Sequence, residues 1–214
     1  MVVHLGTKVN NFNDDLSAYE RATYIQRNSE ILQEFYFANL ETKCKLNNIY
    51  NMSLYGCPLW DLFSDAADSF EKTYNRSIRM MWNIPLQTHR YLIEPLSDQS
   101  HMRFALYKRF LNFRKQIFTS SKQVLRHVYS IIENDCASVT GRNSRKIMLQ
   151  CDKNSLHSLM ISDIDALVYF PIPDQEVWRI DLIRELLDTR LDIIDVPGFS
   201  SEEITDILNF ACVS

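Results

Sequence analysis

Hydrophobic residues in this chain recur at spacings of three and four, and the runs they form break at a few Gly and Pro residues. That rhythm belongs to amphipathic helices that bury one face. Leu16, Tyr19, Ala22, Ile25, Ile31, Leu32, Phe35 and Tyr36 predict a first helix, capped by Asp14 or Asp15 and reaching Ala38. Thr42 is expected to cap a second, through Leu46, Ile49 and Tyr50, which Gly56 and Pro58 stop. The cleanest two-faced pattern lies between Ser64 and Asn83. At about 100° per residue, Phe70, Tyr74, Ile78, Met81 and Trp82 share one face while Lys72, Arg76 and Arg79 form a stripe on the opposite one. Pro85 closes that helix, and a short helix or turn from Thr88 to Glu94 is expected to end at Pro95.

From Ser100 a longer helix points Phe104, Tyr107, Phe110, Leu111 and Ile117 at a core, with Leu106 and Phe113 widening that face. Its cations are less orderly: Lys108 and Lys115 flank the apolar face, Arg109 points away, and Arg103 and Arg114 project into the apolar sector, where they must snorkel, pair or meet phosphate. Another helix spans Lys122 to Glu133. Residues 134–155, rich in Ser, Asn, Gly and Asp, read as a loop or linker. Beyond them come a helix turning strand-like between Leu156 and Tyr169, a turn forced by Pro171 and Pro173, and a helix carrying Val177, Ile180, Ile183, Leu186, Leu187 and Leu191. A capping box from Ser200 to Glu203 then precedes Ile204, Ile207, Leu208 and Phe210. At the other end, residues 1–9 are β-branched and interrupted by Gly6, which predicts a short strand or extended lead-in. No partner strand is evident, an opening that suggests a truncated chain. The fold class expected is all-α: an irregular bundle of about six to eight helices with a short N-terminal β lead-in. Its divisions would be a helical domain over 1–133, the linker at 134–155 and a helical segment over 156–214.

Composition changes this picture little. The 214 residues, 46% hydrophobic and 23% charged with four Gly and six Pro, describe an ordinary soluble helical protein long enough to bury a core. The five Cys are widely spaced and form no CxxC or Cys/His pattern, so they read as reduced intracellular thiols rather than disulfides or metal ligands. No signal peptide or membrane-length apolar run is visible, which gives the expectation of an intracellular, soluble protein with no membrane partner, in nucleus or cytoplasm alike. The sequons at Asn51 and Asn75 fall inside predicted helices and read as chance matches. No phosphate-binding Gly loop, nucleophile elbow or metalloprotease motif occurs, the His residues are dispersed, and no cofactor, metal or catalytic residue is assigned. Phe12-Asn13-Asp14-Asp15 has the outline of a polymerase [FY]xDD box, but the pair opens a helix and no third carboxylate is evident, so helix capping is the better reading.

Charge matters more. The net value of −4 hides eleven Lys and Arg against two acids between Lys72 and His127, while the segment from Asp163 to the end holds three Arg against twelve acids. A basic middle and an acidic tail suggest a polyanion partner for the first, or pairing between the two. Lys72, Arg76 and Arg79, extended by Arg90, Arg103, Lys108, Arg109, Arg114 and Lys115, are candidates for contacts along a nucleic-acid backbone. A solvated basic face with no ligand is the plainer alternative.

SLYGCPLWD, then NRSIRMMWNIPLQTHRYLIEPL a helix later, then RFALYKRFLNF, resemble the region after the palm in reverse transcriptases of non-LTR retrotransposons, which are RNA-directed DNA polymerases of mobile elements. Tyr55, Gly56, Trp60, Trp82, Pro85, His89, Arg103 and Arg109 carry the likeness. His4-Leu5-Gly6 resembles the Leu-Gly turn of the primer grip, and Glu203 through Cys212 resembles the usual ending of such frames. The resemblance implies a thumb with a C-terminal segment, an element that in the family holds an RNA or DNA duplex. It also disqualifies Phe12 to Asp15, because the family's catalytic box precedes the Leu-Gly turn; palm and catalytic aspartates are absent, and no enzyme activity is expected from the chain alone. The rival expectation is a helical protein–protein interaction domain with no nucleic-acid role, engaging a partner chain through the acidic C-terminal segment or an apolar groove.

Overall fold

The computed structural model describes residues 2–4, 7–9, 16–35, 38–52, 54–97, 101–167, 177–192 and 201–213. Asp14, Asp15 and Ser200, expected as helix caps, and Ser100, expected to begin a helix, lie outside them, as do Leu5 and Gly6. The fold is all-α. Its ten helices among the described residues are α1 (Leu16–Gln33), α2 (Leu40–Tyr50), α3 (Asp65–Trp82), α4 (Arg90–Ser97), α5 (Met102–Phe118), α6 (Gln123–Asn134), α7 (Val139–Gln150), α8 (Ile161–Asp165), α9 (Trp178–Asp192) and α10 (Ser201–Val213). A small antiparallel hairpin of β1 (Val2–His4) and β2 (Thr7–Val9) opens the chain, with Val2 opposite Val9 and His4 opposite Thr7. The lead-in therefore does have a partner strand, and it lies within the same nine residues: Thr7–Val9 pairs with Val2–His4.

Local chemistry sets the helix ends. The Asn39 side chain accepts the Thr42 amide at 2.9 Å, so Asn39 caps α2 and Thr42, the expected cap, is the residue whose N–H is satisfied. Ser64 does the same for α3, accepting the Ala67 amide. At the far end of α3, Asn83 adopts φ 53°, the Ile84 amide reaches back to the Arg79 carbonyl and the Asn83 amide to that of Met80, a Schellman closure. Pro95 does not end α4 but sits inside it. With only two helical residues beyond it, the missing N–H costs one hydrogen bond near a terminus that frays anyway.

The largest correction concerns residues 134–155. Most of this stretch is helix α7, and its buried face is Gly141, Asn143, Ser144 and Ile147. Polar and small residues make that contact, so the stretch carries no apolar rhythm and reads as a loop. Asn143 replaces apolar packing with fixed hydrogen bonds: its Nδ2 donates to the Trp60 carbonyl at 2.8 Å and its Oδ1 accepts the Leu62 amide at 3.1 Å.

The chain divides into two compact units, each assembled from three segments rather than following the linear division expected from sequence. The first comprises 1–21, 54–71 and 101–168. In it α5 packs on the 3-10 turn Cys57–Leu59, on α6 and on α8, and α6 packs on α7. Trp60 meets Phe70 edge to face at 5.3 Å, and Tyr107 and Phe110 are fully buried. The second comprises 22–53, 72–100 and 169–214. Here α9 packs against α10, α4 and α2, and Ile25, Ile78, Trp82, Leu92 and Ile183 are buried.

Candidate nucleic-acid interface

The nine candidate cations divide sharply once their surroundings are known. In the second unit, Lys72 and Arg76 stand exposed one turn apart on α3, while Tyr74, Ile78, Met81 and Trp82 of the opposite face are buried. The phasing read from sequence is thus the phasing of the folded helix. Arg79, next in the stripe, turns inward: its guanidinium donates to the Thr88 carbonyl at 2.7 and 3.2 Å and to that of Asn75 at 3.0 Å. It ties the turn after Pro85 to the helix it follows, and burial lowers its pKa from the usual arginine range. Arg90, at the start of α4, is half-buried.

In the first unit the two Arg residues of the apolar sector are paired. Arg103 donates through Nε to Glu71 at 2.8 Å and through Nη2 to Asp68, and the His101 imidazole faces the other Glu71 oxygen at 3.2 Å. Because Nδ1 of His101 accepts the Arg103 amide as the N-cap of α5, the ring proton sits on Nε2, toward the carboxylate. Arg114 forks onto Glu133 at 2.6 and 3.2 Å, and Ser144 of α7 donates to the same carboxylate at 2.9 Å. Lys108 pairs with Asp165 at 2.5 Å. Arg109 and Lys115 are exposed. Asp165 and Asp163 both belong to the acid-rich C-terminal part, and Asp163 holds Lys153 at 2.9 Å, so some of the charge asymmetry is neutralised inside the fold.

Of the nine, Arg79, Arg103, Lys108 and Arg114 are held by the carbonyls and carboxylates just described, Arg90 is half-buried, and Lys72, Arg76, Arg109 and Lys115 are exposed. The partners Glu71, Asp68 and Glu133 lie 19 to 35 residues away from their Arg, too far for spacing along one helix to reveal them. The exposed set can offer positive charge to phosphates without reading bases. Of the residues that carry the family likeness, Gly56 adopts φ 79°, a left-handed conformation suited to glycine, at the head of the 3-10 turn, and Trp60 and Trp82 are buried. His4 pairs with Thr7 in the hairpin. Phe12 to Asp15 lies outside the described residues. Among those residues, no group of three or more His, Cys, Asp or Glu is arranged to hold a metal, and no helix is long and apolar enough to cross a membrane.

No family model, no curated protein and no solved structure matches this chain.

Proposed function

We propose that the chain is a thumb-like and C-terminal piece resembling that of a non-LTR retrotransposon reverse transcriptase, catalytically incomplete by itself, which holds a nucleic-acid duplex through its backbone without sequence preference. The observation that supports this reading is the two-sidedness of α3, with Lys72 and Arg76 exposed behind a buried face of Tyr74, Ile78, Met81 and Trp82. A duplex-gripping helix needs that geometry: rigid apolar anchoring on one side, mobile cations on the other. With few exposed cations per unit, binding is weak and falls steeply with salt, since each phosphate neutralised contributes roughly 0.9 to the slope of log affinity against log salt.

The test is fluorescence anisotropy of a labelled RNA–DNA hybrid titrated with the full chain at several salt concentrations. Lys72→Glu with Arg76→Glu should weaken binding by about tenfold or more and lower the salt slope by about two. Arg79 is left intact because it holds the α3–α4 turn. Unchanged binding in the double variant overturns the assignment of α3, and primer extension by the purified chain overturns the reading of catalytic incompleteness.

A further inference from the structure

The helix α5 contains five cations and no acid, so every carboxylate set against it comes from another element. Asp68 and Glu71 of α3 answer a need of the core by holding Arg103, and Glu133 of α6 does the same for Arg114. Those arginine side chains are only 11% and 12% exposed and without a partner would be stranded charges. Asp165, the last residue of α8, answers no such need. It pairs with Lys108, a half-buried lysine whose long stem lets its ammonium reach water unaided. Nor does α8 call for an acid there: the end of a helix favours cations, and it is Asp163 that closes the start of α8, accepting the Met160 amide at 2.7 Å.

Lys108 borders a coherent polar surface. At about 100° per residue, Lys108 and Lys115 line one edge, Arg109 the other, and Asn112 and Gln116 lie between them, a face about 120° wide opposite the buried Tyr107, Phe110 and Ile117. Arg109, Asn112, Lys115 and Gln116 are exposed. Lys108 and Lys115 stand two turns apart, roughly 10 Å along the axis, and the two amides can donate to phosphate or sugar oxygens between them. On Lys108 the Asp165 carboxylate takes the place of a phosphate oxygen, an anionic acceptor 2.5 Å from Nζ. We propose that α5 is a second surface for the duplex backbone and that Asp165 is an intrachain competitor for one of its phosphates, occupying Lys108 and holding affinity down. The fully buried Ile164 anchors α8 beside α5, while Asp165 itself is 58% exposed, so its carboxylate can release Lys108 without unfolding. This role rests on the duplex reading, although it involves neither Lys72 nor Arg76.

The test is Asp165→Asn in the full chain, titrated with the labelled RNA–DNA hybrid over a range of salt. Releasing one lysine from an exposed ion pair should tighten binding about two- to fivefold at low salt and steepen the salt slope by about 0.9. Asp152→Asn removes the same charge from an exposed position of the same unit and frees no lysine, so it should leave the slope unchanged and affinity within about 1.5-fold, which separates release of Lys108 from relief of general repulsion. In a chain carrying Lys108→Gln, Asp165→Asn should give no gain. A gain equal to that of Asp152→Asn, a gain that survives Lys108→Gln, or an unchanged slope overturns the proposal. Hybrid binding absent from both the native chain and the Asp165→Asn variant overturns the duplex reading together with it. Loss of the Asp165 effect alone, with Lys72→Glu and Arg76→Glu still weakening binding, overturns the competitor role and leaves the duplex reading standing.

Discussion

At the scale of single residues, the fold is held at its least expected points by charge. Arg114 and Glu133 are both nearly buried, and each satisfies the other in a bidentate pair with Ser144 completing the carboxylate. Such a pair contributes modestly compared with apolar packing of the same shape, but removing one partner strands the other charge. Glu133→Ala should therefore lower unfolding free energy by about 3 kcal/mol or more, seen as a lower urea midpoint at unchanged m-value, with Glu133→Gln intermediate. A loss below about 1 kcal/mol would show that Arg114 finds water instead. This pair also marks the limit of what the sequence discloses. That Arg103 and Arg114 must snorkel, pair or meet phosphate follows from their place in the apolar sector of α5; the structure shows that they pair. Which acids answer them does not follow, because Glu71, Asp68 and Glu133 are brought to them by folding and not by helical spacing.

Among the elements, legibility follows apolar rhythm. The limits of α3 and its buried apolar face agree with the sequence reading, since Phe70, Tyr74, Ile78, Met81 and Trp82 announce themselves by hydrophobicity, whereas the left-handed Asn83 that closes the helix and the inward turn of Arg79 do not. The helix α7 gives the opposite case: it packs through Gly141, Asn143 and Ser144, residues that also build loops. At Gly141 the reason for glycine is close approach. A β-carbon there would overlap the Asp135 and Glu133 carbonyl oxygens, backbone atoms of the α6–α7 connection and of the last turn of α6. Gly141→Ala should cost about 1–3 kcal/mol despite its better helix propensity, because that connection must open to admit the methyl group. A thermal melt unchanged or raised by the substitution would mean that the two helices tolerate separation. For α6 the sequence reading gives a span, Lys122 to Glu133, but no buried face; the structure buries Tyr129 and Glu133 and leaves Val124, Leu125, Val128, Ile131 and Ile132 exposed.

At the scale of the whole molecule, each unit is assembled from segments far apart in sequence, which is why a linear division into domain, linker and tail does not describe it. Both units also contain groups that burial holds in the protonated, neutral form. Burial pushes the Cys57 thiol up to about 12, partly offset by Arg109, and raises the phenols of Tyr74 and Tyr129. A group whose pKa is raised by folding binds its proton more tightly in the native chain, so its stabilising contribution is complete below the unfolded value and lost as pH rises toward the folded one. Stability should thus begin to fall above about pH 9 as Cys57 comes under strain, and further above about pH 10 as the phenols follow. Urea midpoints across that range give the measurement, and Cys57→Ala should delay the onset; a midpoint flat to about pH 11 would contradict it. The same burial bears on where the protein can be made. Asn51 and Asn75, each at the head of an Asn-x-Ser triplet, are folded away, and Asn51 uses its amide nitrogen to reach Asn47. A sugar chain attached to either nitrogen during synthesis would have no space in the finished fold, so passage through an oligosaccharide-transferring compartment sets glycan addition and maturation in direct competition.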